Sequence, residues 1–296
     1  VTVELLAAAR MHPVQFAVNP NEVIYRVGRI KGHPVIAATR ELDERLLELN
    51  AEGALNGHIP VTAINSLIAL VQARIIGLGP VVMSLEASAS EAAVVWDGHG
   101  VNHQWSKSEE AEELLHEMIG PQAGLSAGAY FSLLRPYSEI QIARYFATLR
   151  EYHPVITSCN RAFRRGVKDA RWCADCDKCR FIFLILSPFI PGTALTRMFA
   201  DNLLDNPTQL EGYRSLLGLH EHRPFECVGE QAESMVALTW ISAQDEWKKT
   251  AVVTALVREI PELLSAHPDL EEQVLGHRDL QGEMPHRFAS LGGVLA

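Results

Sequence analysis

Short continuous apolar runs alternate along the first half of the chain with longer segments whose apolar positions recur at helical spacing. Residues 1–10 read as an amphipathic helix with no capping residue before it. Residues 12–20 read as a short apolar strand ending in a polar turn, and Asn21 opens a helix to about residue 31, closed by Gly32. A second strand over 34–38 leads to a helix over 42–49 that is charged on one face. Residues 61–78 are apolar almost all round, Asn65, Ser66, Gln72 and Arg74 excepted, which predicts a helix buried on most sides, as under a sheet. Strands follow over 80–83 and 131–134, with a shorter apolar segment over 94–96. Helices are predicted over 109–119, where Ser106 and Glu109 fit a capping box, and over 140–149.

Continuous apolar strands between helices predict an α/β fold, a parallel sheet covered by helices on both faces. Beyond Pro191 the pattern turns helical and charged, from 193 to about 270, with a loose tail expected after Gly276. The chain thus divides into an α/β domain over 1–155, a cysteine-rich segment over 156–190 and a helical region over 191–296. Ligands on such sheets bind at the carboxyl ends of strands, near helix N-termini. The polar clusters after Val18, after Met83 and around Asn102 all follow apolar segments.

Composition narrows the partners. Hydrophobic residues make up 48% and charged residues 21% of 296, an ordinary globular balance. The formal charge of −10 repels phosphate backbones and argues against a general nucleic-acid binder, yet leaves room for a small phosphate site built from local amides and lysines. The longest apolar run, residues 181–190, is too short to span a membrane, which takes about 20 residues. No export signal opens the chain, so a cytoplasmic protein without a membrane partner is expected.

Four of the five cysteines are Cys159, Cys173, Cys176 and Cys179. Overlapping C-x2-C steps bring thiolates within reach of one tetrahedral ion, and a fourth from a nearby loop closes the set. Zinc fits a four-thiolate site, and an iron–sulfur cluster accepts similar ligands. Four protein ligands leave no open position, so the metal would be structural. The surrounding Arg161, Arg164, Arg165, Lys168, Arg171, Lys178 and Arg180 would stabilise thiolates or face a phosphate-bearing substrate.

Two polar clusters carry candidate chemistry. Ser84, Glu86, Ser88 and Ser90 follow a predicted strand and suit ribose hydroxyls or a magnesium-bound phosphate; a turn with capping serines has the same composition. Asn102, His103, Gln104, Ser106 and Lys107 lie just before a helix and suit an anion, or form a solvated loop. His58 is either a ligand or a turn residue. Cys227 lies between Glu226 and Glu230, whose charges would disfavour its thiolate.

Taken together, residues 56–66, 102–108, 158–161, 172–180 and 223–230 resemble the UDP-N-acetylmuramoyl-L-alanyl-L-glutamate epimerase family. The resemblance implies a Rossmann-like (HUP/PP-loop) fold related to 7-cyano-7-deazaguanine synthase, with residues 1–155 as its nucleotide-binding domain. It also implies a glycine-rich phosphate loop upstream of Val1. Leu85 stands where the family carries Asn, and Ala92-Ala93 where it carries Gly-Asn. The implied reaction inverts the terminal L-glutamate of a UDP-muramoyl dipeptide through an acyl-adenylate, using ATP and Mg2+ beside a structural Zn2+. Ser84, Ser88, Asn102, Ser106 and Lys107 would hold the nucleotide, and His103, Glu86, Cys227 and Glu230 would move protons. Another PP-loop pyrophosphatase, making a nitrile or modifying tRNA, and a zinc-stabilised scaffold without catalysis are the alternatives.

Overall fold

Local rules set most element boundaries in the first half. The computed structural model describes residues 1–295 except 56–58, 93, 165–166, 168–169, 221–223, 225, 261–268 and 277–283. Asn56, Gly57, His58, Ala93, Arg165, Lys168, Arg223 and Phe225 therefore lie outside the described residues. Helix α1 (Thr2–Ala8) has no side-chain cap, as predicted. Strand β1 (Gln15–Val18) precedes α2 (Glu22–Arg29), whose cap Asn21 accepts a hydrogen bond from the Ile24 amide. Gly32 turns the chain at φ +70° into β2 (Val35–Ala38), which pairs in parallel with β1, Phe16 opposite Ile36.

Helices α3 (Glu44–Ala51) and α4 (Val61–Ile75) follow, and then β3 (Val81–Met83). Strands β4 (Val94–Trp96) and β5 (His99–Val101) form a hairpin through Asp97 and Gly98. Both turn residues have positive φ, 48° and 75°, as a two-residue turn between twisted strands requires. Helix α5 (Glu109–Ala123) is capped by Ser108, which accepts from the Ala111 amide, and not by the predicted Ser106. The reason is a short 3-10 turn, Trp105–Lys107, which delays the helix start. Strand β6 (Tyr130–Ser132) pairs in parallel with β3, and α6 (Glu139–Phe146) starts at a capping box of Ser138 and Gln141.

Two expectations need correction here. The sheet predicted as one parallel layer exists as two separate parallel pairs, β1–β2 and β3–β6, because no described strand joins β1 to β3. The structure is mixed α/β with small parallel sheets. Helix α4 is also less buried than its sequence suggests: Ser66, Ala69 and Leu70 are buried, while Leu67, Val71 and Ile75 are exposed. It packs on β1 and β3 with one face only.

The second half is a helical core built around α7 (Asp177–Leu186), which buries Phe181, Phe183, Leu184, Ile185 and Leu186. Such a helix has no solvent face, and its neighbours α6, α8 (Gly192–Phe199), α9 (Leu210–Leu216) and α10 (Gln231–Ser242) enclose it. Phe183 meets Phe199 edge-on at 5.1 Å, and buried Trp247 donates to the Ser187 carbonyl. Helices α11 (Ala251–Glu259) and α12 (Leu270–Leu275) pack on α10. The described part of the expected loose tail is ordered against the first half. There α13 (His286–Ala289) buries Phe288 against Phe131 at 4.8 Å, and Arg144 donates to the Leu295 carbonyl. No helix among the described residues is long and apolar enough to cross a membrane.

Candidate active site and metal centre

The candidate metal centre forms where the chain enters α7. Cys176 sits at the helix N-cap and Cys179 within its first turn, so the i, i+3 spacing puts both sulfurs on one side. Ala174, at φ +58°, reverses the chain to bring Cys173 back over them, and Cys159 arrives from the preceding loop. Arg180 fastens this turn by pairing with Asp175 and Asp177, and Trp172 stacks on Phe199 at 4.4 Å.

All four sulfurs lie within 4.8 Å of one another, and the closest pairs are 3.5, 3.7 and 3.9 Å apart. A tetrahedron of 2.3 Å metal–thiolate bonds has edges of about 3.8 Å, so the set fits one ion. The hydrogen-bonding contact between Cys176 and Cys179 pulls Cys176 down to about 5 and pushes Cys179 upward, with burial and the charges of the neighbouring sulfurs adding to the rise. A divalent ion at the centre would remove that conflict.

Beside this centre, three of the predicted residues meet. Cys227 Sγ is 3.6 Å from Lys107 Nζ and 3.6 Å from His103 Nε2, and Lys107 also reaches Gln104 Oε1 at 3.2 Å. Glu226 is turned away, accepting from Asn160 and from the Lys178 amide, and the sulfur's partners are an ammonium and an imidazole.

Glu86 and Glu230 belong to the same neighbourhood through two acids the sequence did not single out, the partly buried Glu139 and the buried Glu233. Glu139 binds Lys178 Nζ at 3.1 Å, and burial raises its carboxyl pKa against the lysine's pull, with the charge of Glu86 adding to the rise. Burial opposes protonation of Lys178, but the carboxylates of Glu139 and Glu86 and the sulfur of Cys227 prevail and hold it charged. Glu233 is pushed up to about 8, first by burial and then by the charge of Glu139. Its carboxyl accepts from the amides of Glu230 and Ile140, at the starts of α10 and α6. Gly229 makes this packing possible, since a Cβ there would lie 2.3 Å from both Glu233 and Phe181. Arg135, itself buried, pairs with Glu112 and donates to the Glu86 carbonyl, which fixes the Glu86 loop.

The remaining predicted residues are dispersed. Asn102 bonds the Ala89 carbonyl and the Gln104 amide, so it ties two loops together. Ser84 donates to Thr2 and lines a separate cleft between β1 and β3. Ser88 is buried with no hydrogen-bond partner for its hydroxyl among the described residues, and Ser106 is half-buried in the 3-10 turn. In the sequence Lys178 stands only among the basic neighbours of the cysteines, and Glu139 and Glu233 are lone helix acids that no sequence pattern marks.

Residues 1–133 match the family model described as the MurL N-terminal domain, and residues 155–271 match the MurL C-terminal domain. Three relatives carry the name UDP-N-acetyl-alpha-D-muramoyl-L-alanyl-L-glutamate epimerase. That of Salinispora tropica is 54% identical over 88% of this chain and 57% of its own length. That of a Micromonospora species is 53% identical over 88% and 58%, and that of Xanthomonas oryzae pv. oryzae 41% over 93% and 61%. The chain thus spans about three fifths of the length of these relatives. No solved structure matches it. His103 and Lys107 fall in the first matched domain and Lys178, Cys227 and Glu233 in the second, so both domains furnish the site, and the chain belongs to the MurL family.

Proposed function

We propose that the full-length polypeptide is an ATP-dependent epimerase that inverts the terminal L-glutamate of UDP-N-acetylmuramoyl-L-alanyl-L-glutamate during peptidoglycan precursor synthesis. The relatives' name supports the substrate, and the cluster around Cys227 supports the chemistry. We read residues 1–155 as the nucleotide-binding part of a Rossmann-like PP-loop enzyme working in the cytoplasm, with Mg2+ accompanying ATP. The four-cysteine site is read as structural zinc, because sulfurs this close leave room for a single ion and none for a polynuclear cluster.

The chemical logic starts from charge. Removing the α-proton of a glutamate carboxylate would place a carbanion beside an existing negative charge. Attack of that carboxylate on the α-phosphorus of ATP releases pyrophosphate and gives an acyl-adenylate, in which the carboxyl no longer carries its own charge and its carbonyl accepts electron density. The α-proton then leaves on one face and returns on the other, and water releases AMP and the D-glutamate product. Lys107 and Lys178 supply positive charge for phosphate or carboxylate, and Cys227 with His103 exchanges the proton on one side. Glu86 and Glu230 are the candidates for the other side. Burying Lys178 and Glu233 beside the partly buried Glu139 is costly, which a non-catalytic scaffold has no reason to retain.

The observation that carries this reading is the 3.6 Å approach of both Lys107 and His103 to the Cys227 sulfur. It is tested by incubating the full-length enzyme with ATP and the UDP-muramoyl dipeptide in D2O. Deuterium at the glutamate α-carbon should appear with AMP, and Cys227→Ala should slow that exchange at least about 100-fold. Unchanged exchange in the variant would remove Cys227 from the proton path.

A further inference from the structure

Strands β1 and β3 face one another across a cleft of about 670 Å³, lined by Phe16, Val18, Val82, Val3 and Ala69 among others. Protein interiors are close-packed, and a gap of this size inside a sheet layer calls for an occupant. The hydrogen bonding shows what the cleft offers. Gln15 donates to the Pro34 carbonyl and Asn19 to the Ala38 carbonyl, so alternate peptide groups of β1 point to β2. Those of Phe16 and Val18 point the opposite way, toward the cleft. On β3, Met83 accepts from the Leu133 amide and so faces β6, which turns the peptide groups of Val82 to the cleft as well. Among the described residues neither of these two edges has a partner strand.

The cleft is also roofed and floored like a sheet. Leu5 and Leu6 of α1 pack with Val82 and Phe131, whereas Leu70 of α4 packs with Val81, Met83 and Tyr130. Successive strand residues point to opposite faces, so α1 and α4 cover opposite faces of the β3–β6 pair. Both helices line the cleft, and α4 continues onto β1. Two facing edges of alternating donors and acceptors, held between two helix layers, suit a peptide backbone better than a small molecule. The relatives supply the chain for it, since two fifths of their length lies outside the match.

We propose that a β-strand from the part of the full-length polypeptide outside residues 1–296 fills this cleft, pairing with β1 on one edge and β3 on the other. The two parallel pairs then become one five-stranded sheet in the order β2, β1, inserted strand, β3, β6. A strand running parallel to β3 would leave the cleft beside the N-terminus of α1, where Ser84 already meets Thr2.

Residue-resolved hydrogen exchange on the full-length protein, with and without ATP, tests the assignment. The amides of Phe16, Val18 and Val82 should exchange at least about 100-fold slower than open chain in both conditions, keeping pace with Ala17 and Met83. Open-chain rates in both conditions would overturn it. Slowing that depends on added ATP would overturn it too, by making the cleft a ligand pocket.

Discussion

The two halves of the molecule use apolar sequence in opposite ways. In the second half α7 hides Phe181, Phe183, Leu184 and Ile185 from solvent on every side. In the first half α4 is as apolar by sequence, yet it leaves Leu67, Val71 and Ile75 exposed, and every residue of β1 is only partly buried. The contrast teaches that a helix is buried by what surrounds it. Helices α6, α8, α9 and α10 enclose α7, whereas α4 rests on two strand pairs separated by a cleft. The proposed site draws on both halves: His103 and Lys107 come from the open half, and Lys178 and Cys227 from the closed one.

The sharpest way to break the comparison is at the metal centre. Cys176→Ser, or strong chelation, should release one zinc per chain and unfold the helical half, because all four candidate ligands belong to that half; metal analysis with circular dichroism reads both. A variant that keeps its helicity and loses the metal would show the closed half to be self-sufficient. Next in size, Phe183→Ala should cost about 3–5 kcal/mol in denaturant unfolding, whereas Val71→Ala should change stability by less than about 0.5 kcal/mol. Similar losses at both sites would erase the distinction.

The smallest effect concerns pH. Glu233 has its folded pKa raised from 4.5 to about 8, so the folded state holds a proton there that the unfolded state has released. Stability from this group is complete below the unfolded value and falls as pH rises from about 4.5 through 8. Glu233→Gln keeps an oxygen for the Glu230 and Ile140 amides and should flatten that decline, measured as Tm against pH. The neighbouring Glu139, Glu230 and Lys178 stay in place, so an unchanged slope would move the titration to one of them.

Much of this was legible in the chain. Asn21, Gly32 and the Asp97-Gly98 pair mark their boundaries by local rules, and the cysteine spacing alone places four sulfurs around one point. The candidate site was half legible. Polar residues near a helix start nominated His103 and Lys107, but the same rule also nominated Asn102, which serves as a loop tie. What sequence order hid was contact at a distance. Glu226 adjoins Cys227 in the chain and turns away in space, while Lys107, 120 residues earlier, touches its sulfur. Glu139 and Glu233 were illegible because a lone acid in a helix reads as solvated until packing buries it. The single sheet failed as an expectation because periodicity predicts strands and says nothing about which strand fills the middle.

The reaction itself turns on whether the glutamate carboxylate is joined to the nucleotide. With the α-carboxylate of the dipeptide labelled with 18O, turnover by the full-length enzyme should deliver one labelled oxygen to AMP, because hydrolysis at the carbonyl leaves the bridging oxygen on phosphorus. AMP formed without label, alongside normal epimerisation, would contradict a path through an acyl-adenylate that water opens at its carbonyl.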